Sequence, residues 1–225
     1  MSIRARQWRA RGLLLALLTL TVPALLAQEC DCIWQGPFIK AQQHADLVLL
    51  GTVVRRQGNS FDVSVDDVMR GETFLDTVRV WGLYPDTCRP GVAQFTPGSQ
   101  WVLALQRIDS VPPGGFDINT PNLSYGRKGD YALSRCGIFW LPVRDGLVRG
   151  NLTEAVRWEF DEAPMTPVRP ELIKRWLQGE LDETRLIKAA RFNPAVRQLR
   201  RETQRFLQAQ EPPIPTEPEP ESQPE

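Results

Sequence analysis

Ala45-Asp46-Leu47-Val48-Leu49-Leu50-Gly51-Thr52-Val53-Val54, then Arg55 to Ser60, then Phe61-Asp62-Val63-Ser64-Val65-Asp66, is the stretch that decides the fold. The first run is aliphatic, β-branched and apolar on both faces at its centre, so it reads as a strand. In the third run Phe61, Val63 and Val65 alternate with Asp62, Ser64 and Asp66, the period of a half-buried strand that answers the first. Gly58-Asn59 between them is a turn signal.

Outward from this pair the alternation recurs. Beyond Arg70-Gly71, Val78 and Val80 point inward and Thr77 and Arg79 outward. Trp101 to Leu105 reads as a fourth strand, Tyr131 to Arg135 as a fifth that ends at Cys136, and Leu141 to Val148 adds a sixth piece around Asp145-Gly146. Pro37 to His44 reads as a short helix with proline at its first position. Five or six short strands with helices at both ends suggest a small closed barrel; the alternative is a β-sandwich. Asp109 to Gly129 carries Pro112-Pro113-Gly114-Gly115 and is too long for a hairpin loop, so it is either a binding element or a loose insertion.

From Pro170 the period becomes helical. Leu172, Ile173, Trp176 and Leu177 make one apolar face; a second helix starts near Asp182 with Leu186, Ile187 and Ala190; a third starts at Asn193-Pro194 with an N-cap and a proline at the first position. Arg185, Lys188, Arg191, Arg197, Arg200, Arg201 and Arg205 sit among the second and third helices, which reads as an ordinary solvated face or as a basic amphipathic surface for a membrane or an acidic partner. Pro212 to Glu225 is rich in proline and glutamate and is expected to stay disordered. The expected organisation is a signal peptide over 1–27, a barrel over 28–152, a helical extension over 153–210 and a tail over 211–225.

The signal reading rests on Arg4, Arg6, Arg9 and Arg11, an apolar run from Leu13 to Leu20 too short to span a bilayer, and a cleavage site ending at Ala27. The chain is therefore expected to be exported, to the periplasm or outside the cell, with no stable membrane anchor after cleavage. Full-length charge is balanced at 27 basic and 27 acidic residues. Loss of the leader leaves a near-neutral body, which argues against nucleic acid as a partner.

Four cysteines remain: Cys30 and Cys32 in a C-x-C pair, Cys88 and Cys136. Bonding between neighbours one residue apart is strained, which leaves Cys30 and Cys32 to pair with Cys88 and Cys136 in either order. Loops of this length stabilise by roughly 4 kcal/mol per bridge. C-x-C with two isolated partners and one histidine does not match zinc knuckles, and no C-x-x-C redox pair is present. No metal site in the isolated chain and no cofactor are expected.

In order and spacing, these residues resemble the inhibitory domain of the tissue inhibitors of metalloproteinases and, more broadly, the netrin-like modules. The resemblance is carried by Cys30-Asp31-Cys32, the short helix at Phe38 to His44, Ala45-Asp46-Leu47-Val48, Met69-Arg70-Gly71, Cys88, Gly98-Ser99-Gln100-Trp101-Val102-Leu103 and Cys136, and covers about Cys30 to Leu152. It implies an OB-fold-like barrel and the pairing Cys30–Cys88 with Cys32–Cys136. It also implies that a mature chain starting at Cys30 would present its α-amine to a protease zinc, the one way Cys30 would become a metal ligand. Three features depart from that pattern, one being that the family's remaining cysteines are absent. Gln28-Glu29 precede Cys30 and would turn the amine into an amide. Asp31 would set a carboxylate against the protease's own catalytic glutamate.

The leading functional expectation is a non-enzymatic, exported protein-binding module. Its ridge would comprise Cys30, Asp31, Cys32, Ile33 and Trp34 with Tyr84, Asp86 and Thr87, near the long loop. Trp34 and Tyr84 are the candidate anchors; Trp34 is equally explained by packing over the disulfides. The alternatives are a metalloendopeptidase inhibitor acting through Cys30, with a zinc protease as partner, and an OB-fold binder of carbohydrate or another ligand. An enzyme is disfavoured: His44 stands alone before a strand, and no nucleophile or phosphate-loop motif is present. Asn122-Leu123-Ser124 and Asn151-Leu152-Thr153 match the glycosylation sequon.

Overall fold

The computed structural model describes residues 31–85, 87–116 and 123–210. The Ala45–Asp66 stretch forms two long strands, β1 (Leu47–Gln57) and β2 (Ser60–Arg70), paired antiparallel across a turn at Gly58-Asn59. The following strands are β3 (Thr77–Trp81), β4 (Gln100–Arg107), β5 (Tyr131–Ala132), β6 (Trp140–Arg144) and β7 (Leu147–Val148). Hydrogen bonding runs β1-β2-β3-β5-β4 and returns from β4 to β1, so five strands close a ring and leave no free edge inside it. The β3–β5 pair is parallel and the others antiparallel. β6 and β7 extend the sheet beyond β4. The mainly β, OB-fold-like closed barrel expected from strand count and resemblance is the observed architecture.

β1 and β2 run longer than expected, to Gln57 and over Ser60–Arg70, so that only Gly58-Asn59 makes the turn, and two later strands also differ in extent. β5 stops at Ala132 instead of reaching Arg135, because the backbone beyond it turns to other partners: Arg135 N–H donates to the Cys88 carbonyl at 2.8 Å, and Cys136 is drawn into a disulfide. The sixth piece is a hairpin of two strands, since Asp145 and Gly146 both take positive φ (54° and 68°), the geometry of a tight primed turn.

Leu47, Val48 and Leu49 are all sealed, although successive residues face opposite sides of the sheet. One side faces the barrel interior, and the apolar core there is continuous with α1 (Phe38–Ala41), α2 (Pro170–Leu177) and α3 (Glu183–Ala190), through Phe38, Ile39, Ile173, Leu186 and Ala190. Pro37 caps α1 instead of opening it. Asp182 caps α3 by accepting from the Thr184 N–H, and Lys174 on α2 pairs with Asp67 on β2 at 2.6 Å. A ladder of rings runs outward from the core: Phe61 stacks on Phe95 (4.4 Å between centroids), Phe95 meets Trp140 (6.0 Å), and Trp140 stacks on Phe160 (5.3 Å). The last helix, α4 (Pro194–Gln210), starts where expected, with Asn193 Oδ1 accepting from the Ala195 N–H, and leaves Leu199, Phe206 and Leu207 exposed. Among the described residues no helix is long and apolar enough to cross a membrane.

The residues that carry the resemblance at the β1 and β2 ends act mechanically. The Arg70 guanidinium bonds the Gln42 side chain, the Gln42 carbonyl and the Ala45 carbonyl, pinning the turn before β1. Asp46 Oδ2 accepts from the Arg107 N–H at 2.7 Å. Gly71 lies so close to this turn that a Cβ would fall 2.3 Å from the Asp46 carbonyl oxygen.

Candidate functional site: a cysteine ridge and an arginine cleft

One end of the barrel is organised by a single buried amide. Asn59, in the β1–β2 turn, donates from Nδ2 to the carbonyls of Leu83 (2.9 Å) and Ser124 (2.7 Å) and accepts the Ser124 N–H at 3.0 Å, while its own carbonyl accepts the Gly82 N–H. Three segments distant in sequence are thereby held together. The described parts of the long loop are consequently tied down, and they add a small core of their own in which Trp81, Ile108 and Ala132 meet Val111, Phe116 and Tyr125. The described residues of this loop do not form a loose insertion.

The ridge lies at this end. Cys32 is bonded to Cys136, a closure of 104 residues, and the Cys88 sulfur lies within 4.8 Å of both bridged sulfurs. These three are the group of closely spaced metal-capable side chains among the described residues, and two of the sulfurs are already joined to each other. Cys30 lies outside the described residues, and so does the expected Cys30–Cys88 pairing; Asp86 is outside them too. After Cys32 the backbone is clamped: Gln35 N–H donates to the Cys136 carbonyl (2.6 Å) and Ile138 N–H to the Gly36 carbonyl (3.0 Å). Between these fixed points Ile33 projects with 87 % of its surface exposed, and Asp31 is exposed beside it. Trp34 is half-buried, its ring 5.8 Å from Phe160 and 5.3 Å from Trp158, so it extends the aromatic ladder of the core. Packing therefore occupies the larger part of Trp34, and Ile33 is the exposed apolar side chain of the ridge.

Tyr84 and Thr87 form a closed turn. Thr87 Oγ1 donates to the Tyr84 carbonyl at 2.7 Å, and Tyr84 is half-buried with its ring edge-on to Tyr125 at 5.9 Å. Between this turn and the cysteines opens a polar cleft of about 600 Å³. Its walls include Gln35, the residue after the ridge, with Thr87, Cys88, Arg89, Arg107 and Ser134, and Asp109, Ser110 and Tyr125 from the long loop, whereas Ile33 and Trp34 line a separate hollow with Arg157.

Arg89 is the buried charged side chain of the cleft wall. It is 8 % exposed, its guanidinium lies 4.3 Å from the centre of the Tyr125 ring, and it donates to the Tyr125 carbonyl. Burial pushes its pKa below the ordinary arginine value, with Tyr125 opposing that shift; arginine remains charged throughout. Among the described residues no carboxylate pairs with Arg89 or with the Arg107 side chain. Asp109 is the acidic residue on the cleft wall and is itself exposed.

Sequence reading passed over Arg89, because an arginine one residue after a cysteine carries no pattern; its burial arises from Tyr125, 36 residues away. It passed over Phe74 as well, 97 % exposed in the loop between β2 and β3. Of the sequons, Asn122 lies outside the described residues, and Asn151 is buried with Oδ1 accepting the Ala163 N–H at 2.7 Å, a structural role. No protein-family model, no curated protein and no solved structure matches this chain.

Proposed function

We propose that the chain is an exported, non-enzymatic protein-binding module of the netrin-like and metalloproteinase-inhibitor type, which engages its partner through the cysteine ridge. The observation that carries this reading is Ile33, an almost fully exposed aliphatic side chain on a segment fixed on both sides, by a disulfide and by backbone hydrogen bonds. Termini are ordinarily loose unless tied down, and an apolar residue held rigidly in water is the usual form of an interface anchor. The internal disulfide accords with an oxidising compartment, periplasmic or extracellular.

The test is capture of partners from the exported fraction by the wild-type chain and by Ile33→Asp. Ile33 is exposed, so the variant is expected to melt like the wild type and to lose a specifically captured protein; unchanged capture overturns the reading. Inhibition of a zinc endopeptidase by a chain trimmed to begin at Cys30, and by no longer form, would replace it with the inhibitor alternative.

A further inference from the structure

We propose that the cleft beside the ridge is a carboxylate-binding site, in which Arg89 holds an acidic group presented by the protein partner and Arg107 completes its neutralisation. The inference rests on the ridge reading for the claim that the acid belongs to a protein; the site itself rests on charge and geometry. A guanidinium has five N–H donors and no acceptor. Arg89 uses one on a backbone carbonyl, keeps one face against Tyr125, and lines an open polar cleft with no carboxylate bonded to it among the described residues. Arginines this buried are normally paired. Its planar fork, oriented by the Tyr125 stack, suits two parallel hydrogen bonds to a carboxylate. Arg107, on the same wall, has its backbone N–H fixed by Asp46 while its side chain is exposed and carries no ion pair among the described residues. Ser134, also on the wall, orders the floor by accepting the Cys136 N–H at 3.0 Å.

The experiment titrates the full mature chain with three capped or free tripeptides and follows the amide resonances of the cleft residues. Acetyl-Ala-Glu-Ala-amide offers a side-chain carboxylate, acetyl-Ala-Ala-Ala with a free C-terminus offers a main-chain one, and acetyl-Ala-Gln-Ala-amide is the neutral control. One or both acidic peptides are expected to bind at least about tenfold more tightly than the control, the margin of a charge-assisted pair; which of the two binds identifies the source of the acid. Arg107→Gln, an exposed change, should weaken that peptide several-fold with an unchanged melting temperature. Arg89→Lys, which keeps the charge and loses the fork, should weaken it further. Equal binding of the control, no binding of either acid, or full binding by both variants overturns the site. Ile33→Asp should leave the titration unchanged, so a failure of the ridge reading and a failure of the carboxylate site are separable.

Discussion

Asp62 shows how a single charge is used inside the barrel wall. Burial alone would raise its pKa, but hydrogen bonds and charge from Arg79 and Arg55 outweigh this and hold the carboxyl below its ordinary value. A depressed native value means that the stabilisation is present above the unfolded-state range and is lost as pH falls through the native one. Asp62→Asn is therefore expected to cost about 2 kcal/mol near neutrality, with the deficit shrinking in acid; urea melts at the two pH values measure it. Gly126 is constrained differently. Its φ is +120°, and a Cβ would lie 2.6 Å from Ile108 Cδ1 and 2.9 Å from the Trp81 ring. Gly126→Ala should loosen the long loop at a cost of about 2 kcal/mol, seen as a changed Trp81 environment in near-ultraviolet circular dichroism. Trp34→Ala should also destabilise by about 2 kcal/mol through lost ring contacts, a result that would mark its role as packing before recognition.

At the scale of elements, the Cys32–Cys136 bridge closes the longest loop in the described chain, and Cys136→Ser is expected to cost about 4 kcal/mol, read as a lowered denaturation midpoint under oxidising conditions. What could be read in the sequence was whatever short-range chemistry specifies. The alternation at Phe61, Val63 and Val65 located β2, Asp145-Gly146 located the last hairpin, and Asp182 and Asn193 located the starts of α3 and α4. The two residues of β5 were overestimated because Leu133 and Ser134 continue an alternation that the pull toward Cys88 and Cys136 interrupts. Ile33 was singled out for its place beside Cys32, and Tyr84 and Thr87 through the family resemblance; the exposure of Ile33 and the closed Tyr84–Thr87 turn are features only the folded chain displays. Arg89 and Asn59 were not, since each owes its role to a partner more than 20 residues away, which no local pattern announces.

For the whole molecule, the barrel and the helices that follow it share one core. Ile173 and Leu186 are sealed against the same apolar cluster as Leu49 and Phe139. Leu186→Ala should therefore destabilise the barrel itself, by about 2–5 kcal/mol, and all spectroscopic probes should shift together in one unfolding transition. The ring also has an uneven hem. β1 and β2 are eleven residues each, whereas β5, which joins β3 to β4, has two. Such a closure behaves as a zip fastener with its slider at one tooth: amide protons at Tyr131 and Ala132 are the ones to leave first for deuterium. The sulfur rivet immediately downstream keeps that opening small, so a reducing milieu would let the hem part while the long wall of β1 and β2 stays sewn.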